Sequence, residues 1–380
     1  MLKFWLKSFV FIVMQLFFFH GAFAANVTCK VNGATQNITF PISGSIHIGT
    51  DSPVGSIIYQ TNIETPKNNT YQCWYTGTGQ QAFFVESQTI SLVGGGALVT
   101  GAGIPSKVYS TNIPGVGVRF YIWNNTNNAI DKEGIIAWQD TRTVSKTTSL
   151  NAYAYVSITM TLVKTGDISP GLIDSNSFPA LKMDVAFPND SSVVSAPGFP
   201  FTYGLYNFSS GVSITSSTCQ SHDFDVPLGK YEVKKFTVKG SVTDWIDSSI
   251  SLTNCPAFKG YYDSNSSITT SITGQQFPTS ATRNKIRLRL APNNTVIDSS
   301  NGIFAVDNIP GAATGIGIQI AKGDSGDSFF YFYTPETYEQ AISTTASSFR
   351  IPLRARYIQT EDKVTAGLAN GSMTFTLEYY

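Results

Sequence analysis

The sequence predicts an all-β protein made of two β-sandwich domains in tandem, and three observations carry that prediction. The 380 residues are 13% aromatic and rich in Gly, Ser, Thr and Asn, with only 13% charged, which suits an exported β protein better than a helical cytosolic one. Apolar segments are short, alternate with period two and are separated by turn residues, and no convincing amphipathic helix of more than three turns occurs. The cysteines fall two in each half, and the length allows two domains.

Residues 1–24 read as a secretory signal peptide. Lys3 and Lys7 give a positive start, Phe9–Phe19 is almost unbroken apolar chain, and Ala22-Phe23-Ala24 forms an A-x-A site, so cleavage is expected between Ala24 and Ala25. The run is short for a membrane span, the alternative being an N-terminal anchor. Loss of the two lysines turns a formally neutral chain slightly acidic. That balance points to neither nucleic acid nor an anionic membrane as a partner.

Export makes disulfides the default for Cys29, Cys73, Cys219 and Cys255. Of three possible pairings, Cys29–Cys73 with Cys219–Cys255 best fits two independently folding domains. Each would close a loop of about 40 residues, worth ~4 kcal/mol in the chain-entropy picture. There is no C-x-x-C, and only His47 and His222 follow the signal segment, so no metal or other cofactor is expected.

In the first half, strands are expected at Ile38–Phe40, Ser45–Ile48, Ser56–Tyr59, Gln81–Val85, Val116–Trp123, Ala152–Val163 and Ser177–Phe187, with Gly, Pro, Asn and Asp clusters between them. The spacing argues for sandwiches. A Pro/Ser/Gly-rich stretch, Ser195–Ser217, separates the halves, which places a first domain at 25–213 and a second at 214–380. The halves echo each other: Asn112–Phe120 and Ala312–Ile320 share a glycine-opened turn feeding an alternating strand. G-x-G marks a phosphate loop only where a helix follows, and here strands follow.

The chain ends on two further alternations. Phe349, Ile351, Leu353, Ala355 and Tyr357 point one way with Arg350, Arg354 and Arg356 opposite, and Met373, Phe375, Leu377 and Tyr379 interleave with Thr374, Thr376, Glu378 and Tyr380. Four large apolar side chains on one face of a last strand need a partner surface. Burying them is worth roughly 6–12 kcal/mol at 1.5–3 kcal/mol each, and leaving them on an open edge invites aggregation.

Residues from Cys219 onward resemble the pilin domain of chaperone–usher fimbriae. The resemblance is carried by Cys219, Val226-Pro227-Leu228-Gly229, Phe236–Gly240, Ser251-Leu252-Thr253-Asn254-Cys255-Pro256, Gly315–Gln319, Phe349–Tyr357 and the closing Gly371–Tyr380. It implies an immunoglobulin-like sandwich without its final strand, whose groove beside the C-terminal strand takes a strand first from a periplasmic chaperone and then from the next subunit. Phe349, Ile351, Leu353, Met373, Phe375, Leu377, Tyr379 and Tyr380 would line that groove, and an outer-membrane usher would be a further partner. Ala25–Cys29 leaves no free donor segment and a whole domain precedes Cys219, so the chain is expected to be an outermost, receiving subunit. It thus resembles a two-domain tip adhesin similar to those of type 1 and type 3 fimbriae, exposed on the bacterial surface. In the first half the resemblance rests on Asp51–Gly55, Asn112–Phe120 and Leu162–Asp167.

No catalytic constellation emerges: there is no G-x-S-x-G elbow, the two histidines lack a nucleophile pattern, and Asp140, Asp167 and Asp174 read as scattered surface acids. A binding function is expected, with a host-surface glycan or matrix protein as ligand; the alternative is a structural adaptor or initiator subunit. A sugar site wants a flat aromatic face beside planar polar groups. Trp138, Gln139, Asp140 and Arg142 combine these, as do Trp123, Asn124 and Asn125, with Trp74-Tyr75 weaker. The alternatives are a core tryptophan beside a polar turn and, for the Asn-rich stretch, a β-turn using asparagine's tolerance of left-handed backbone.

Overall fold

The computed structural model describes residues 25–67, 71–123, 125–188, 194–326, 328–332, 338–342 and 345–380; the signal segment and Ala24 lie outside them. The fold is all-β with immunoglobulin-like sandwiches. Helix among the described residues is limited to the single 3-10 turns Ser175–Ser177 and Val233–Lys235, as expected from a chain whose apolar residues recur at every second position.

In the first half a six-stranded sheet faces a seven-stranded one. The six-stranded sheet runs Gly171–Asp174, Phe201–Thr215, Ala180–Ala186, Gln81–Val93, Ile135–Ser145, with Gln36–His47 parallel to Phe201–Thr215. Their inner faces meet through Phe40, Phe84, Phe120, Met160, Leu181 and Phe208, with Phe120 stacked on Phe208 at a ring separation of 5.4 Å. A smaller sheet pairs Val27–Val31 with Tyr71–Tyr75, and the Cys29–Cys73 disulfide joins residues directly opposite each other in that pair. Cys219–Cys255 also forms, so both expected pairings are present.

The expected strand Ala152–Val163 is two elements. Leu150–Ala152 belongs to the small sheet and Ser157–Lys164 to the seven-stranded one. Ser157–Lys164 is central, so its polar face is buried too: Thr159 donates to Asn62 Oδ1 at 3.0 Å and Thr161 lies only 1% exposed.

The second half packs a five-stranded sheet against Lys285–Pro292 and its neighbours around Phe258, Leu288, Phe304, Ile318, Phe332 and Ile351. Its alternation from Phe349 breaks at Pro352, which has no N–H to donate. Phe349–Ile351 pairs with Ile250–Leu252 and Leu353–Gln359 with Ile316–Lys322, so Ile351 and Leu353 lie on strands that do not pair with the last one, in the core cluster against which Met373, Phe375 and Leu377 pack. The echo between the halves has a structural counterpart. Gly115 (φ +80) and Gly315 (φ +72) occupy left-handed backbone, and a Cβ would lie 2.1 Å from Asp167 O in one and 2.0 Å from Lys363 O in the other.

The halves are not separate along the chain. Ile268–Ser271 and Gly274–Gln276 form a hairpin that leaves the second half and extends the seven-stranded sheet, Ile268–Thr270 running parallel to Thr61–Ile63. Ile268 is buried in the first core.

Candidate functional site

The last strand, Met373–Tyr379, pairs along one side with Lys285–Pro292. Tyr380 and Lys285 exchange both backbone hydrogen bonds, at 2.9 and 3.0 Å. In an antiparallel ladder hydrogen-bonded and non-bonded pairs alternate, so Glu378, Thr376 and Thr374 turn their peptide groups inward to that partner. Pro292, lacking an N–H, faces Met373 at a position where none is required. The N–H and C=O groups of Met373, Phe375, Leu377 and Tyr379 therefore point to the other side. Among the described residues no strand pairs there. The side chains of Met373, Phe375 and Leu377 are half-buried against the second core, whereas Tyr379 is buried and stacked on Phe258.

At Tyr379 that free side ends against the first domain. Tyr379 N–H donates to Asp51 Oδ2 at 2.8 Å, and Asp51 N–H donates to Tyr379 O at 3.1 Å. The approach requires a glycine two residues earlier, because a Cβ on Gly49 would lie 2.0 Å from Tyr379 O. Asn284 ties the same corner together: its Nδ2 donates to His47 O at 2.9 Å and Tyr380 O at 3.2 Å, while Gly260 N–H donates to its Oδ1. His47 packs edge-on to Phe258 at 4.5 Å, with Nδ1 3.0 Å from Thr215 Oγ1 and Nε2 without a partner among the described residues. Burial lowers its pKa to about 4 against a weaker opposing hydrogen bond at Ser217.

The hairpin that joins the halves is held by a polar fork. Gln275 Oε1 accepts from Ser43 N–H at 2.6 Å and Ser43 Oγ at 2.9 Å, and its Nε2 donates to Tyr59 Oη and Thr270 Oγ1. Thr270 and Thr61 hydroxyls meet at 2.7 Å in a buried setting. A cavity of about 300 Å³ sits at this junction, lined by Ile48, Ser52, Pro53, Tyr261, Asp263 and Tyr380 among others. None of the tryptophan candidates borders it.

Those candidates lie elsewhere on the first domain. Ile135–Ser145 is an edge strand, and Trp138, Asp140 and Arg142 stand opposite Gln88, Glu86 and Phe84, hence on the inner face. The Glu86 carboxylate is fully buried. It accepts from Tyr71 Oη, Gln88 Nε2 at 2.9 Å and Arg142 Nε at 2.8 Å, so the buried charge is both paired and hydrogen-bonded. Burial first, and the Glu86 charge second, push the Tyr71 hydroxyl pKa up. Trp138 covers the Arg142 guanidinium at 4.4 Å. Glu86 thus fixes Arg142, and Arg142 carries Trp138, at a rim where Asp140 is exposed. Gln139 is exposed and points to the opposite face. Trp123, 51% exposed, ends the strand Val116–Ile122 in the facing sheet; Asn125 N–H caps Ile122 O at 2.9 Å, and Asn124 lies outside the described residues. The two tryptophan stretches are therefore separate places. Glu86, Asn284 and Gly49 carried no signal in the sequence, each being one polar residue or glycine in an ordinary strand or turn.

Comparison with known proteins assigns both halves. The family described as fimbrial protein matches residues 206–380, and the MrkD-like receptor binding domain matches residues 42–175. A fimbria adhesin protein of Klebsiella pneumoniae is 23% identical over 372 residues, covering 94% of this chain and 96% of the relative. The CupB6 tip adhesin from Pseudomonas aeruginosa aligns at 16% identity over 93% of this chain and 94% of that one, with a TM-score of 0.34. The receptor binding domain of the plasmid-born adhesin MrkD1P of K. pneumoniae aligns at 24% identity over 51% of this chain and 98% of its own length, with a TM-score of 0.30. A MrkD-like receptor-binding domain followed by a fimbrial domain is the composition of a chaperone–usher tip adhesin, and this chain is a two-domain member of that class.

Proposed function

We propose that this tip adhesin binds a host-surface glycan or matrix protein through its first domain and joins a fibre by accepting a strand along Met373–Leu377. The observation that carries the second part is the run of outward N–H and C=O groups at Met373, Phe375 and Leu377, above apolar side chains that a second strand would finish burying. β-Strand addition needs both features: main-chain groups for affinity and alternating side-chain sites for fit. A periplasmic chaperone would supply the strand first and the next subunit later, with an outer-membrane usher between. Cleavage after Ala24 would start the mature chain at Ala25. For the receptor, the Trp138–Arg142 rim and the exposed Trp123 indole each offer the flat aromatic face and polar groups that sugars select. The fimbrial and receptor-binding families that the chain matches support binding as its activity.

The full chain, stabilised by a synthetic alternating strand peptide, should bind components of a glycan array or of a collagen and fibronectin panel, and Trp138→Ala or Trp123→Ala should reduce that binding at least tenfold, the loss expected of an aromatic anchor worth about 1.4 kcal/mol or more. Silence across both panels would favour an adaptor subunit. Failure of the peptide to stabilise the chain would remove the strand-accepting role.

A further inference from the structure

The geometry points to the Gly49–Asp51 turn of the first domain as the stop that sets how far a complementing strand can pair along Met373–Tyr379. This rests on the strand-accepting reading and goes one step past it, to the register of the strand and to a role for the receptor-binding domain in setting it.

Four residues of the last strand turn their peptide groups outward, and a strand pairing with all of them would take both groups of each. Three are open: no described residue bonds the N–H or C=O of Met373, Phe375 or Leu377. The fourth, Tyr379, has both groups taken by Asp51, one through its carboxylate and one through its own N–H. The turn is backed from inside its own domain, where the buried Lys164 ammonium donates to Thr50 O at 2.7 Å. It is also fitted to the strand by the missing side chain at Gly49, whose Cβ would fall 2.0 Å from Tyr379 O and 2.2 Å from its carbonyl carbon. Two satisfied hydrogen bonds and a contact that only glycine permits make a defined end, not a loose approach. An incoming strand can therefore pair over Met373, Phe375 and Leu377, and extending it past Leu377 requires displacing the first domain's turn.

The test uses the full chain and a nested series of fluorescently labelled alternating Val/Thr peptides, lengthened in two-residue steps at either end. In the wild type, affinity should rise with each step that pairs up to Leu377, and a step beyond it should change affinity less than twofold. Gly49→Ala pushes the turn off Tyr379, and Asp51→Ala removes one of its two bonds without adding bulk, so the milder variant remains informative if the first misfolds. In either, the same extra step should tighten binding about tenfold, the worth of one or two net backbone hydrogen bonds. An equal gain from that step in wild type and variants, or no gain in the variants, overturns the stop while leaving the groove intact. Peptides of every length failing to bind the wild type overturns both readings.

Discussion

Two strand edges in this molecule present the same liability and meet it differently. Ile57–Glu64 would end its sheet in a row of unpaired backbone groups, but the chain sends a hairpin from its own second half to cover it. Met373–Tyr379 presents a similar row, covered among the described residues only at Tyr379. The covered edge is locked by side chains specific to one partner: Thr270 on Thr61, and the Gln275 amide against Ser43 and Tyr59. The uncovered stretch offers only main-chain groups and the half-buried apolar side chains of Met373, Phe375 and Leu377. On the proposed strand-accepting role, a site that takes strands from two different proteins in turn is served by groups that every strand can satisfy. An edge meant to stay closed is served by a fork that few sequences can match.

The largest effect should come from charging the uncovered edge. Phe375→Asp puts a carboxylate on the face of the last strand that packs against the second core, at an expected cost of about 3 kcal/mol or more. Recovery with a chaperone and incorporation into fibres should both be lost, while Phe375→Leu should keep them. Normal incorporation of the Asp variant would mean this edge is not where assembly happens.

Next in size is the covered edge. Ile268 is fully buried in the first core although it belongs to the second half, so Ile268→Ala should cost about 2–5 kcal/mol, read as a lowered unfolding midpoint. The same comparison makes residues 25–213 alone an incomplete sandwich. That fragment should be stabilised by a peptide spanning Phe258–Phe277. If it is equally stable with and without the peptide, the hairpin is decoration and the parallel between the two edges fails.

What could be read in the sequence follows from range. The all-β class, both disulfides and the alternation of the last strand are properties of composition, cysteine placement and neighbouring residues, and period two survives folding because a strand keeps it. Even the glycine echo at Gly115 and Gly315 was visible, since a left-handed turn before a strand is a local demand. The hairpin was not. Ile268–Gln276 looks like any Ser/Thr-rich hairpin, and nothing local says its partner lies some two hundred residues earlier. The candidate binding residues divided on the same ground. Trp138, Asp140 and Arg142 share a face because of period two, but Gln139 falls on the other. That Arg142 is held by Glu86 from a neighbouring strand is a contact no spacing reveals. His47 is, in the sequence, one of two histidines with neither a metal-ligand nor a nucleophile pattern around it, and its buried place at the junction comes from Phe258 and Asn284 of the other half.

That histidine gives the third test, of the junction between the two edges. Its folded pKa of about 4 lies below the ordinary 6.5, so the folded state keeps it neutral while the unfolded chain takes up a proton below pH 6.5. Stability should be complete above about pH 6.5, fall as pH drops toward 4, and level off below, with at most about 3 kcal/mol lost from this group. Urea midpoints at a series of pH values would read it, and His47→Gln should flatten the slope in that window. An unchanged slope would place the acid sensitivity elsewhere.

The smallest effect separates the two ways a strand edge can be held. Gln275→Leu removes all four arms of the fork but leaves Ile268 and the parallel backbone pairing in place. Ser43 lies near the surface, so water can take over its freed N–H, and Tyr59 Oη still donates to Ser43 O at 3.0 Å. The loss should therefore stay near 1 kcal/mol, the net worth of a hydrogen bond whose partner is not stranded. If the hairpin's hold lies in apolar burial, Ile268→Ala will exceed Gln275→Leu severalfold, and the fork contributes selectivity more than strength. That selectivity has its own readout. With Gln275→Leu the hairpin should be displaced from Ile57–Glu64 by an added alternating peptide that leaves the wild type untouched, seen as faster hydrogen exchange at Thr270, whose N–H faces that strand while those of Thr269 and Ser271 bond within the hairpin. Equal resistance in both chains would assign the closed edge to packing alone, and the contrast with Met373–Tyr379 would then lie in what each edge buries and not in which side chains guard it.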